Sequence, residues 1–231
     1  RIILCFSLLL LCIGALTHAQ AQSLKWVPPE TRIGSIDASG SANESLRVSP
    51  DSKRVAYTAK TGNKSFVVVD GKEGKQYDGI ATPGPIFSPD SKRVAYGAET
   101  GTKQFIVVDG KEGKQYDGIG AVPLFSPDSK RVAYGVVAST KQFVVVDGKE
   151  GKQYDGIATP GPLFSPDSKR VAYTVVAGTK QFVVVDGKEG KQYNGIINFG
   201  GGRIVFDSAD SLHYLALKGT GIYLVQESIK R

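Results

Sequence analysis

From Leu46 onward the apolar residues come in short runs, cut apart by Gly, Pro, Asp and Ser, and both runs and cuts recur along the chain. In one stretch, Pro85-Ile-Phe is a short apolar strand and Ser88-Pro-Asp-Ser a turn, in which Pro89 presets φ at the second position and Asp90 can bond nearby amides. Arg93-Val-Ala-Tyr-Gly is a second strand, Thr100-Gly-Thr a loop, and Gln104-Phe-Ile-Val-Val-Asp a third strand rich in β-branched and aromatic residues. Gly110-Lys-Glu-Gly follows as a tight hairpin, and Gln115-Tyr-Asp-Gly-Ile as a fourth strand whose Asp-Gly leads into the next unit. Consecutive apolar residues in the third strand imply burial on both of its faces. Four strands of about five residues and four connections of about four to five fill roughly 36 to 40 residues, the size of one propeller blade.

The pattern is a true repeat. Ser-Pro-Asp-Ser-Lys-Arg-Val-Ala-Tyr begins at Ser49, Ser88, Ser126 and Ser165, and Val-Val-Asp-Gly-Lys-Glu-Gly-Lys-Gln-Tyr ends at Tyr77, Tyr116, Tyr154 and Tyr193. Pro50, Asp51, Pro89, Asp90, Pro127, Asp128, Pro166 and Asp167 are read as structural turn residues. A degenerate unit starts near Phe206, with Tyr214-Leu-Ala-Leu in the Val-Ala-Tyr place. Helical repeats are excluded, because Pro and Gly interrupt the chain too often for apolar residues at three-to-four spacing. The expected fold is all-β, a β-propeller of about five four-stranded antiparallel blades, with units at 46–84, 85–122, 123–161, 162–202 and 203–231. The last unit lacks a fourth strand, so segment 31–37 is expected to close the ring beside residues 222–226 and cover that edge.

The Phe-Ser-Pro-Asp-Ser-Lys-Arg-Val-Ala-Tyr block followed by an aromatic-Val-Val-Asp strand resembles the WD-like propeller repeat of TolB-type periplasmic proteins, and is similar to propeller domains of prolyl-oligopeptidase relatives, over about residues 46–226. The chain departs from that pattern with Ser52, Ser91, Ser129 and Ser168 where the family usually has Gly. It also has about five units where six to eight are common, and it lacks an α/β domain or a hydrolase domain beside them. The resemblance implies fold and compartment, and a structural role for the repeated block.

Ahead of the repeats, the apolar run from Ile2 to Leu16 and the small-x-small pattern Ala19-Gln20-Ala21 read as a signal peptide, residues 1–21, cleaved near Ala21. The expected product is a single propeller domain, 22–231, periplasmic or secreted, monomeric and without a membrane span. Both cysteines, Cys5 and Cys12, fall in the leader, so the exported part has no thiol or disulfide. Without Arg1 the formal charge falls from +7 to +6, with both signs interleaved in every unit; nucleic-acid binding, which needs a clustered basic face, is not expected.

Chemistry based on Cys or His is nearly excluded, since His213 alone remains beyond the leader, and no zinc, calcium-loop or Walker spacing is present. Metal and cofactor are expected to be absent. Of 22 acidic residues, 15 are copies at four repeat positions, which suits the blade better than a single reaction centre. Glu99 is the unrepeated acid expected in a loop between the second and third strands of a unit. Asn43-Glu-Ser and Asn63-Lys-Ser match glycosylation acceptors, and no function is attached to them.

The copies agree at Ser-Pro-Asp-Ser and Gly-Lys-Glu-Gly, expected on one face of the disc, and differ at the loops expected on the other, such as Ala98-Glu-Thr-Gly-Thr and Ala81-Thr-Pro-Gly. Scaffolds carry specificity on varied loops, so the varied face is the expected binding surface. The leading reading is a non-enzymatic binding or scaffold module for a protein partner in the cell envelope. A lectin-like alternative would use Tyr77-Asp78, Tyr116-Asp117, Tyr154-Asp155 and Tyr193-Asn194 as one glycan site per blade, and a propeller hydrolase or lyase is the third reading.

Overall fold

Val132-Ala-Tyr-Gly-Val-Val and Gln142-Phe-Val-Val-Val lie side by side in antiparallel register, Tyr134 opposite Val145 and Val136 opposite Phe143. Because successive side chains of a strand point to opposite faces, Phe143 and Val145 pack back against Ala95, Ile106 and Tyr116, while Val144 packs forward against Val171, Tyr173 and Val175. Each of these side chains is removed from water by a neighbouring sheet, worth about 1.5–3 kcal/mol for a fully buried valine or phenylalanine. That two-sided burial explains the unbroken Phe-Val-Val-Val runs.

This computed structural model describes residues 30, 32 and 45–229. By contacts the chain divides into unit 1–31, of which Glu30 is described, and unit 32–231, which holds every strand. Its sheets are propeller blades. The first blade is built from Arg47–Val48, Val55–Thr61, Lys64–Val69 and Lys72–Glu73, in that order across the sheet. In the second, Gly79–Ile80 and Ile86–Phe87 share the first position, followed by Val94–Thr100, Lys103–Val108 and Lys111–Glu112. The third has Gly118–Phe125, Val132–Ala138, Lys141–Val146 and Lys149–Glu150. The fourth repeats the second, with Gly156–Ile157 and Leu163–Phe164, Val171–Ala177, Lys180–Val185 and Lys188–Glu189. In the fifth, Gly195–Ile196 and Val205–Ser208 flank one side of Ser211–Lys218, and Gly221–Ser228 pairs on the other.

First strands of successive blades adjoin one another. Arg47 donates to the Pro83 carbonyl, Asn198 donates to the Thr159 carbonyl, and a Cβ added at Gly161 would lie 2.7 Å from that of Ala121. These strands therefore form the inner edge of the arrangement, and the exposed Lys-Glu pairs form its rim.

Several expectations are corrected. The expected fourth strand, 115–119, is divided between two blades: Tyr116 makes one bridge to Gln104, whereas Gly118 and Ile119 pair with Val137 and Val136 of the next blade. Each blade after the first thus begins five to eight residues before the unit boundary drawn from sequence. The hairpin is the two residues Asp109-Gly110, both with positive φ (52° and 77°), which leaves Lys111 and Glu112 in the ladder. Likewise the turn after the second strand is two residues, Gly101-Thr102, so that Ala98, Glu99 and Thr100 are strand, and Glu99 is half-buried opposite Gln104. Ala81-Thr-Pro-Gly is no connection between blades; it interrupts the inner strand between Ile80 and Ile86. The third unit is one residue shorter here, and its inner strand runs continuously from Gly118 to Phe125.

Among the described residues the fifth blade has no fourth strand. Leu215 pairs with Leu224 and Leu217 with Ile222 on its outward face, and Ile222 and Leu224 are 66% and 61% exposed. The proposed closing segment 31–37 lies outside the described residues apart from Arg32, which is in no strand, and so does the leader 1–21.

Candidate functional site

The repeated polar residues join blades. In each Ser-Pro-Asp-Ser turn the aspartate accepts the hydroxyl of the serine two residues earlier and the backbone N–H two residues later, for example Ser126 Oγ at 2.6 Å and Lys130 N at 3.1 Å on Asp128. The serine hydroxyl, ahead of the backbone amide, holds the carboxyls of Asp51, Asp90 and Asp128 below the usual range. The last serine of the turn is left-handed, φ 65° at Ser91, Ser129 and Ser168, which is why the family pattern has Gly there. Here its hydroxyl is used: Ser91, Ser129 and Ser168 accept the N–H of Asp51, Asp90 and Asp128 in the preceding blade, at 3.0, 2.9 and 2.9 Å.

Arginine completes the joint. Arg93 bonds Asp109 within its blade, reaches the Ser129 and Lys130 carbonyls of the next, and stacks 5.1 Å from the Phe125 ring centre. Arg54 and Arg131 do the same one blade earlier and later. Because a carbonyl ladder and a ring fix the guanidinium, lysine would not substitute.

The Tyr-Asp pairs singled out for glycans are also consumed by the joints. Tyr77, Tyr116, Tyr154 and Tyr193 are buried, and the first three donate to Glu112, Glu150 and Glu189 of the next blade at 2.9–3.0 Å. Tyr116 and Tyr154 meet Phe143 and Phe182 edge-on, leaving no ring face for a sugar. Asp78, Asp117 and Asp155 are each bonded to a lysine, Lys64, Lys103 and Lys141, and cap the turn N–H of Gly101, Ser139 and Gly178 in the following blade; Asn194 caps Gly219. The lysine and the capped amide lower these aspartates. Glu99 accepts from Gln104 at 3.3 Å within its strand.

The turn clusters confirm the two faces expected from topology, since Asp109 joins the ends of the first two and last two strands while Asp78 joins the opposite ends. His213 bonds Asp207 at 2.7 Å, and the hydroxyls of Ser208 and Ser211 bond each other. Among the described residues no three His, Cys, Asp or Glu side chains converge as metal ligands, and no helix is long and apolar enough to cross a membrane.

Where the copies differ, apolar side chains are uncovered. Val122 and Leu124 of the third inner strand are 47% and 39% exposed, and Phe199, in the segment interrupting the fifth, is 68% exposed. A pocket of ≈ 170 Å³ opens between the fourth and fifth inner strands, walled by Pro160, Leu163, Ile196, Ile197 and Ile204. Sequence comparison of the copies pointed to these segments, although it read them as loops. What it missed was the hydroxyl of each left-handed serine.

No family model and no curated protein matches the chain. Solved structures similar to it include TolB from Acinetobacter baumannii, 16% identical over 80% of this chain and 51% of that one, TM-score 0.43. The β-propeller domain of the Trilobed protease from Pyrococcus furiosus is 13% identical over 80% of this chain and 70% of that one, TM-score 0.44. An acylaminoacyl peptidase is 11% identical over 81% of this chain and 37% of that one, TM-score 0.42. This chain therefore spans about half of TolB. In fold the chain is an all-β propeller.

Proposed function

We propose that the protein is an exported, non-enzymatic propeller that binds a protein partner of the cell envelope through its inner-strand segments. One observation carries this reading: the four full copies share nearly all the side chains that join blade to blade, whereas 120–123 and 197–203 depart from the Ala-Thr-Pro-Gly-Pro that 81–85 and 158–162 have in common, and there Val122 and Phe199 are exposed. Large apolar side chains clustered on a polar surface mark interaction sites, and the apolar pocket beside Pro160 would take an anchoring side chain of the partner. Export is supported by the run Ile2 to Leu16 and by Ala19-Gln20-Ala21.

The test is a photo-crosslinking amino acid placed singly at Val122, at Phe199 and, on the opposite face, at Lys53, in the full chain expressed in its host. The reading expects one discrete protein adduct common to Val122 and Phe199 and absent from Lys53. No adduct at either inner site, or adducts at Lys53 alone, would overturn it.

A further inference from the structure

Each of three interfaces between blades carries a cleft on the side of the Asp-Gly hairpins, with volumes of ≈ 290, ≈ 480 and ≈ 300 Å³. A tyrosine of the Val-Ala-Tyr segment lies at the base of each: Tyr96, Tyr134 and Tyr173, 5%, 6% and 4% exposed. The hydroxyls of Tyr134 and Tyr173 have no hydrogen-bond partner among the described residues. They are nonetheless not sealed off, because no fully buried side-chain N or O atom lacks a partner there. Gly113 and Gly151 keep the way open, since a Cβ at either would lie 3.6 or 3.5 Å from the hydroxyl. Burial raises the pKa of Tyr134 and Tyr173, the latter to about 12, so both remain donors at neutral pH.

The rims are cationic in effect. Lys72 and Lys92 in the first cleft, Lys111 in the second and Lys149 in the third make no ion pair among the described residues. The acids beside them are engaged elsewhere: Asp109 with Arg93, Asp147 with Arg131, Glu112 with Lys75 and Glu150 with Lys114. Glu73 alone offsets one lysine of the first cleft.

The fourth interface shows what such a cleft accommodates. Its tyrosine is Tyr214, and the fifth blade has no Asp-Gly hairpin, because Gly221–Ser228 runs on where the other blades turn. Glu227 occupies the aspartate position, accepts the Tyr214 hydroxyl, and brings its carboxylate to 3.1 Å from where a Gly190 Cβ would be. Here the chain's own glutamate fills the place that is open above Tyr134 and Tyr173.

We infer that the two clefts above Tyr134 and Tyr173 are carboxylate sites, each taking an Asp or Glu side chain from an acidic segment of a protein partner, with the base tyrosine donating to the carboxylate and the rim lysines pairing with it; in the first cleft the Tyr96 hydroxyl is engaged by Tyr77. This rests on the reading of the propeller as a protein-binding module, at a surface separate from the inner strands. Two equivalent sites in series suit an extended segment carrying several acids.

The experiment is fluorescence anisotropy of labelled deca-glutamate with the full chain, compared with the Tyr134→Phe/Tyr173→Phe double variant. Those hydroxyls bond nothing among the described residues, so the variant should melt with the parent yet bind about tenfold more weakly, as loss of hydrogen bonds to a charged acceptor requires. Lys111→Gln/Lys149→Gln should also weaken binding, and added salt should do so for every form. Failure of the parent to bind deca-glutamate, or equal binding by the phenylalanine variant, would overturn the inference. Binding of polygalacturonate in its place would overturn it too, assigning the clefts to acidic saccharide. Peptide failure with the Val122 and Phe199 adducts intact would sink this inference alone; the converse would sink the inner-strand reading alone.

Discussion

Replacing Ser129 by Ala and by Gly separates two effects that meet at one residue. Ser129 is 3% exposed, holds φ at 65°, and accepts the Asp90 N–H of the preceding blade at 2.9 Å. Alanine deletes the acceptor and keeps the left-handed backbone; the orphaned, partly buried amide should cost about 1–2 kcal/mol. Glycine also deletes the acceptor, but it relieves a left-handed conformation worth about 1–2 kcal/mol to an L-residue, less about 0.5–1 kcal/mol of extra chain entropy lost on folding. The glycine variant should therefore lie about 0.5–1 kcal/mol below the parent and about 0.5–1 kcal/mol above alanine. Urea unfolding followed by circular dichroism, with midpoints compared at constant slope, measures both. A glycine variant as destabilised as alanine, or more so, would refute the account of why serine stands in a glycine position.

Other consequences follow from the same geometry. The turn aspartates, Asp78, Asp117 and Asp155, and Glu112, Glu150 and Glu189 all have folded pKa values below their ordinary 3.8 and 4.5. Their contribution is thus present above those ordinary values and lost as pH falls through the folded ones, so the melting temperature should be flat from pH 7 to about 5 and drop below about 4; a steady decline beginning near pH 6 would contradict this. Burial raises Tyr77, Tyr116, Tyr154 and Tyr214 well above 10, so absorbance at about 295 nm should show these tyrosines ionising together with unfolding at high pH and not before it. Gly161→Ala would set a Cβ 2.7 Å from that of Ala121 at φ 99°, and should cost about 2 kcal/mol or more in urea unfolding, against little for Gly187→Asn, where an added Cβ meets nothing within 4 Å and Asn tolerates the left-handed backbone.

The blades were legible because their chemistry is local. Pro89 and Asp90 specify a turn, and Gln104-Phe-Ile-Val-Val specifies a strand buried on both sides, with no knowledge of distant partners. The boundary between blades was not, because Gly118 and Ile119 are placed by pairing with Val137 and Val136, and nothing in Tyr-Asp-Gly-Ile reveals that partner. Glu99 was misplaced for a smaller reason: Gly101-Thr102 makes a complete two-residue turn with φ 60° at Gly101, so the strand continues through Thr100.

The tyrosines show the limit of reading copies one by one. Tyr77 was offered to the alternative glycan reading, yet it bonds Glu112, 35 residues on. The signal was present in the repeat, which copies Lys75, Tyr77 and Glu112 together as Lys114, Tyr116 and Glu150. A residue set copied together across units marks the joint between them. The inner segments 120–123 and 197–203, which depart from the Ala-Thr-Pro-Gly-Pro shared by 81–85 and 158–162, are what remains for recognition.

Hydrogen–deuterium exchange of the chain alone and joined to its cross-linked partner tests that division most directly. The account expects slowed exchange at 81–87, 120–125, 158–164 and 197–204, with the strands Val94–Thr100, Val132–Ala138 and Val171–Ala177 protected equally in both states by the blade joints. Unchanged exchange in all four inner segments when the partner is attached would contradict it.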